Sequence, residues 1–178
     1  TRKVLVAHVQ VAGGRARVQG DFAIPGVPGT GAEIFMDYSA TTGAKTGQVF
    51  PTGQVMDRIE LQDGRIIEAT LGDVANPCVF VRAADVGCDG PVLPLPDQFD
   101  AHVRLVELLK EIRGKAALLM GLASDWREAE TQSPALPLVL MVAPPHDYDD
   151  AQGRTVRRED IDLQARLVFY NRCHESMA

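Results

Sequence analysis

The sequence predicts an α+β fold with a largely antiparallel or mixed sheet, and three observations carry that expectation. Short alternating or β-branched segments recur along the chain, turn signals of the hairpin kind separate several of them, and one long stretch has helical spacing. The regular alternation of strand and helix that a Rossmann domain requires is absent. With 178 residues, 46% of them hydrophobic, the chain has enough apolar material for one domain, or for one domain and part of another.

Taken in order, Val4 to Val11 reads as a strand, and Gly13-Gly14 offers a tight reversal into Arg15 to Gln19, which predicts a hairpin. Ile24-Pro25-Gly26-Val27-Pro28-Gly29 interrupts helix and sheet alike, because proline removes donors and glycine brings unusual dihedrals; a domain boundary is expected there. Glu33 to Tyr38 and Gln54 to Leu61 are strands around turn-rich segments. Asp63-Gly64 is a two-residue hairpin signal that joins the second of these to Arg65 to Leu71. Pro77 to Arg82 is a short apolar strand.

Asp97 has the character of an N-cap, and Phe99, Val103, Val106, Leu109 and Ile112 follow at helical spacing, giving an amphipathic helix from about Gln98 to Arg113. A second helical piece after Gly114 is expected through Met120. Leu136 to Ala143 is a strongly apolar strand stopped by Pro144-Pro145. Asp162 to Tyr170 alternates Leu163, Ala165, Leu167 and Phe169 against Gln164, Arg166, Val168 and Tyr170, the pattern of a final half-exposed strand.

The charge pattern excludes some functions. A formal charge of -6 with no gathering of Lys and Arg argues against a nucleic-acid partner. No apolar run approaches the roughly 18 residues of a membrane span, and the start lacks the layout of a signal peptide, so a cytoplasmic protein is expected. Cys78, Cys88 and Cys173 are odd in number and lack the close pairing of a zinc or redox motif. Cys78 reads as a buried small hydrophobe. Cys173 is subject to two opposing effects, Arg172 and His174 lowering the thiol pKa and burial raising it.

Other motifs have ordinary readings. Gly26 to Gly31 lacks the lysine ending of a phosphate loop and reads as a linker. Asp147-Tyr148-Asp149-Asp150 begins like a calcium loop, but the following residues break the ligand spacing, and no metal site is expected. His8, His102 and His146 read as a strand, a helix and a loop histidine. Gly72-Asp73-Val74-Ala75-Asn76-Pro77 is a turn between two strands; it would also present the Asn76 amide, donor and acceptor at once, to a carboxylate.

The last stretch, Tyr170-Asn171-Arg172-Cys173-His174-Glu175-Ser176-Met177-Ala178, gathers polar groups suited to a carboxylate directly behind an apolar strand. Such sites usually sit where a strand passes into a helix, whose first amides are unpaired. That placement, and Thr1 rather than Met at the start, lead to the expectation that the chain is the middle of a longer protein.

Several blocks in fixed order resemble PrpF-type proteins: Val18-Gln19-Gly20-Asp21-Phe22-Ala23-Ile24-Pro25-Gly26-Val27, Phe50-Pro51-Thr52-Gly53, Asn76-Pro77-Cys78-Val79-Phe80-Val81-Arg82, Val142-Ala143-Pro144-Pro145 and Arg172-Cys173-His174-Glu175-Ser176. That family includes 2-methylaconitate cis-trans isomerase, methylitaconate isomerase and 4-oxalomesaconate tautomerase, within the diaminopimelate epimerase superfamily. The resemblance implies a mixed sheet curved into a barrel around a helix, incomplete in this chain, with residues 1–25 as terminal strands of a first domain. Residues 26–178 would form most of a second domain lacking its C-terminal part.

It also implies a cofactor-independent isomerase that moves or reorients a C=C bond in a small unsaturated di- or tricarboxylate. Asn76, Arg172, His174 and Ser176 would bind substrate, His174 would take a catalytic part, and no cofactor or metal is needed. A homodimer is compatible with this reading. The family's lysine motif, Gly-Gly-Thr-Ser-Lys-Gly, and its cysteine motif, Asn-Cys-Gly-Asn, do not occur in the sequence. A reading of a different class is a noncatalytic carboxylate-binding or dimerisation module.

Overall fold

The computed structural model describes residues 3–24, 27–150 and 152–174. Twelve strands and three helices lie in these segments. In chain order the elements up to the first long helix are β1 (Val6–Val9), β2 (Val11–Ala12), β3 (Arg15–Ala16), β4 (Ile34–Asp37), β5 (Asp57–Glu60), β6 (Ile66–Asp73), β7 (Pro77–Arg82), α1 (Pro96–Ala101) and α2 (Val103–Leu119). They are followed by α3 (Ala129–Gln132), β8 (Leu138–Ala143), β9 (Tyr148–Asp149), β10 (Thr155–Val156), β11 (Gln164–Phe169) and β12 (Arg172–Cys173).

Six strands form one mixed sheet in the order β12-β11-β8-β7-β6-β5. All neighbours are antiparallel except β7 and β8, which run parallel because α1, α2 and α3 lie in the crossover between them. This is an α+β architecture with a mixed sheet, as the sequence pattern predicts, and it agrees with the diaminopimelate epimerase-like fold that the resemblance implies. Among the described residues the sheet stays open, with β5 and β12 as its edges, so no closed barrel forms.

The core lies between this sheet and α2. Leu105, Leu109, Ile112 and Ala116 on the helix pack with Ile59, Ile67, Leu71, Val79, Val81, Val139 and Met141 on the strands, all almost fully buried. Each fully buried side chain of this size stabilises the fold by roughly 1.5–3 kcal/mol. The alternation along β7 follows: Val79 and Val81 face the helix, while Cys78 and Phe80 face away.

The helix differs in detail from the expectation. It breaks at His102, whose Nδ1 accepts a hydrogen bond from the Leu105 amide at 3.2 Å and so caps α2, leaving Val103 exposed. Asp97 is not a cap. Pro96 occupies the first position of α1, where its missing donor costs nothing, and the Gln98 side chain accepts from the Leu95 amide at 3.1 Å. Helix α2 then runs straight through Gly114, where a Cβ would lie 2.5 Å from the Trp126 carbonyl oxygen. Glycine is there for close approach, and the helix does not end at it.

Hairpins are also shorter than expected. Gly13 and Gly14, at φ 58° and 76°, make the turn between β2 and β3, each of two residues. Strand β1 pairs instead with β4, Val6 opposite Asp37 and Val9 opposite Ile34, a ladder that runs across the boundary expected at 24–29. Pro25 and Gly26 of that boundary lie outside the described residues. Leu61 and Arg65 close the β5–β6 hairpin around three residues rather than two, with Gly64 at φ 84°.

Strand β11 reverses the expected faces. Gln164, Arg166 and Val168 share the helix side with Ala143, Met141 and Val139, and the two polar residues are buried. Their burial is tolerated because each meets backbone groups of the proline-rich loop before α1. Gln164 Nε2 donates to the carbonyls of Pro91 and Pro144, both at 2.9 Å, and Arg166 donates to those of Pro94 at 2.8 Å and Leu93 at 3.3 Å. Among the described residues no helix is long and apolar enough to cross a membrane.

Candidate active site

Three chain segments lie along the end of the sheet where β7 and β8 begin. The first is the turn between β6 and β7 that carries Asn76. The second is the turn of Tyr170 and Asn171 between β11 and β12; the register places both there, since Cys78 pairs with Leu138, Val139 with Val168, and Phe169 with Arg172. The third is the loop of residues 41–49, for which the sequence predicts turns alone.

That loop is fastened to the end of β6 by Asp73. Its carboxylate is fully buried, and Oδ2 accepts from the Lys45 amide at 2.9 Å, the Thr46 amide at 2.7 Å and the Thr46 hydroxyl at 2.9 Å. The backbone of Asp73 adds two more bonds, accepting from the Gly43 amide at 2.7 Å and donating to the Val49 carbonyl at 2.8 Å. Thr41 Oγ1 donates to the Val74 carbonyl at 3.0 Å. The loop thus sits over the shoulder of the Asn76 turn. Asp73 Oδ1 has no hydrogen-bond partner.

Asn76 itself is exposed, and its carbonyl accepts from the Cys78 thiol at 3.3 Å. The Cys78 thiol is pushed up to about 11, first by burial and then by the Asp73 charge. It is therefore a weak donor that fixes the turn and not a nucleophile at neutral pH. Cys173 also loses the reactive reading: it is buried in the core, and burial raises its pKa more than Arg166 lowers it.

Arg172 and His174 stand on the face of the sheet away from α2. Arg172 pairs with Phe169, and the His174 amide donates to the Leu167 carbonyl at 2.8 Å, so both alternate with the buried Cys173 between them. Arg172 is exposed and has no ion-pair partner among the described residues; His174 is half-buried. Ser176 lies outside the described residues. Asn76 shares the sheet end with Arg172, but β7 and β12 are separated by β8 and β11, three strand spacings or roughly 14 Å. Arg172 and His174 are brought onto one face, and Asn76 stands at a distance from them.

The remaining histidines have local partners or neighbours. His102 caps α2, the His146 ring approaches the Asp147 carbonyl at 2.9 Å, and His8 lies against Phe35. The acidic run at 147–150 is engaged by arginines: Asp147 accepts from Arg157 at 2.9 Å and from the Arg158 amide at 2.8 Å, and Asp150 accepts from Arg154. Among the described residues no group of three or more His, Cys, Asp or Glu side chains is arranged to hold a metal ion.

Likeness to known proteins covers the same ground. The chain is 43% identical to 3-methylitaconate isomerase of Eubacterium barkeri over 179 residues, which is 100% of this chain and 46% of that protein. It is 32% identical to 2-methyl-aconitate isomerase of Shewanella oneidensis over 178 residues, 98% of this chain and 44% of that one. The crystal structure of a methylitaconate-delta-isomerase superposes with a TM-score of 0.88 at 43% identity, covering 97% of this chain and 44% of the other. The chain thus spans a little under half the length of the relatives it matches. The family model described as PrpF protein matches residues 1–178, and the chain belongs to that family.

Proposed function

We propose that the chain supplies one wall of the active site of a PrpF-type isomerase acting on a small unsaturated di- or tricarboxylate. The observation that carries this reading is the Arg172 guanidinium, exposed at a sheet end beside His174 and without an ion-pair partner among the described residues. A guanidinium in that position can grip a carboxylate through two parallel hydrogen bonds. The likeness to proteins named as methylitaconate and methyl-aconitate isomerases supports the substrate class.

In this reading a proton is removed next to the activated double bond and returned at another carbon, so the alkene shifts or reorients and no cofactor is required. Arg172 and Asn76 hold carboxylates, with Ser176 as a further donor. His174 donates a hydrogen bond to the developing dienolate or relays a proton. The base belongs to the family's lysine motif, which this sequence does not contain. Residues 1–25 belong to a first domain and 26–178 to a second, with the β1–β4 ladder spanning their junction. The reaction takes place in the cytoplasm and in a homodimer.

The test is an assay of the complete gene product containing these residues against methylaconitate, methylitaconate and oxalomesaconate, with the 178-residue chain alone as a control. Turnover of one substrate by the complete product and none by the chain is expected. A complete product that binds a tricarboxylate and turns over none would favour a noncatalytic module instead. Light scattering of the same sample reads the dimer.

A further inference from the structure

Strand β12 is two residues long and lies at the edge of the sheet, a poor platform for two side chains that must hold still. Its connection to β11 is a two-residue hairpin turn. Tyr170 and Asn171 both have positive φ, 48° and 60°, as the favoured two-residue hairpin turn requires; asparagine suits that region, whereas a bulky tyrosine is uncommon there. A tyrosine held at positive φ draws on support from the contacts around the turn.

Two carboxylates from the crossover segment supply those contacts. Asn171 Nδ2 donates to Glu130 Oε1 at 2.6 Å, and Glu130 Oε2 pairs with Lys110 Nζ at 3.1 Å, tying the turn to α3 and α2 together. Helix α3 is itself fixed: Ala129 is buried, and Gln132 accepts from the Ser124 amide at 2.7 Å. On the other side of β12 the Cys173 amide points out of the sheet, where a further strand would otherwise receive it. Asp100 Oδ1 accepts it at 2.9 Å. The two carboxylates come from different helices and hold residues 171 and 173, the immediate neighbours of Arg172.

We propose that Glu130 and Asp100 form a clamp on β12 and act as positioning residues for Arg172 and His174, a role that rests on the carboxylate-site reading above. Neither carboxylate needs to touch substrate. Glu130 fixes where the left-handed turn ends, and Asp100 fixes the pitch of the strand, so the guanidinium is presented in one place before substrate arrives. A displacement of about 1 Å at such a group costs up to roughly 100-fold in rate.

The experiment compares Glu130→Ala, Glu130→Gln, Asp100→Ala and Asn171→Gly in the complete gene product. The first readout needs no activity: tryptic cleavage after Arg172, followed by mass spectrometry. Glu130→Ala and Asp100→Ala are expected to raise that rate by about fivefold or more, with the melting temperature within about 2 °C of wild type, and Glu130→Gln, which keeps the acceptor for Asn171, to restore protection. Equal cleavage rates in all variants overturn the clamp.

The second readout is kinetic. Asn171→Gly relieves the backbone at φ 60° but releases the tether. It is expected to melt no lower than wild type while losing about tenfold in kcat/KM, chiefly through KM. Variants within about twofold of an active wild type overturn the positioning role. Losses that follow the melting temperature alone also overturn it. Wild type that turns over none of the three substrates overturns the functional reading and the positioning role with it, and the cleavage rates still decide the clamp.

Discussion

Asp73 receives both the amide and the hydroxyl of Thr46 on a single carboxylate oxygen, at 2.7 and 2.9 Å, across 27 residues of sequence. A third donor, the Lys45 amide, shares that oxygen at 2.9 Å. Hydrogen bonds to a charged, buried acceptor contribute about 1.5–3 kcal/mol each. Asp73→Ala would remove the acceptor of three donors and release the 41–49 loop from the end of β6, and is expected to destabilise by roughly 3 kcal/mol. Asp73→Asn keeps one carbonyl oxygen for the same donors and should cost about 1 kcal/mol, the difference being read in urea unfolding.

Gly114 offers a test of packing against propensity. Alanine is the better helix former by about 1 kcal/mol, so Gly114→Ala would stabilise an exposed helix. Here the added Cβ meets the Trp126 carbonyl oxygen at 2.5 Å and the ring at 3.3 Å. Overpacking of this kind costs about 1–3 kcal/mol, and the net result expected is a lower melting temperature. A rise in melting temperature would mean that the 124–128 turn moves aside without penalty.

The Cys78 thiol gives a pH prediction with a definite sign. Its pKa is raised from 9.0 to about 11, so it stays protonated through neutral and mildly alkaline solution. The stability gained from a half-buried neutral thiol is fully present below pH 9 and is lost as pH rises through about 11. Alkylation followed by mass spectrometry should find Cys78 slow at pH 8 in the folded chain and fast in denaturant. Rapid labelling at pH 8 without unfolding would contradict the raised thiol pKa.

Arg172 is the residue on which the functional reading depends. In the complete gene product, Arg172→Ala should cost roughly 2 to 4 kcal/mol in transition-state stabilisation, the range for removing a charged donor from a substrate carboxylate. Arg172→Lys keeps the charge but not the fork, and is expected to recover only part of that loss. Wild-type kinetics in both variants would show that the carboxylate is held elsewhere.

Local pattern in the sequence was sufficient for the elements that build the core. The alternation of Val79 and Val81 with Cys78 and Phe80, the spacing of Leu109 and Ile112, and the turn residues Gly13-Gly14 and Asp63-Gly64 each specify a local geometry that needs no distant partner. The ordered blocks of residues also identified the family, and with it the fold. Pairing was not legible in the same way. Strand β1 has an adjacent hairpin partner in sequence, yet pairs with β4, because a ladder is chosen by the surface it completes and not by proximity along the chain.

The site divides along the same line. Arg172 and His174 could be read as polar residues behind an apolar strand, since their types alone suggest carboxylate binding. That they share one face follows from their spacing, but which face they take was decided by the register of β12 on β11 across the turn at Tyr170 and Asn171, and Asn171 in turn donates to Glu130, 41 residues away. Asp73 looked like an ordinary turn residue until Thr46 was brought onto it. Gln164 and Arg166 looked solvent-facing until the carbonyls of residues 91–94 closed over them. Local dihedral and apolar preferences are written in neighbouring residues. The satisfaction of a buried polar group is a contract between segments far apart in the chain, and only the tertiary structure assigns the partners.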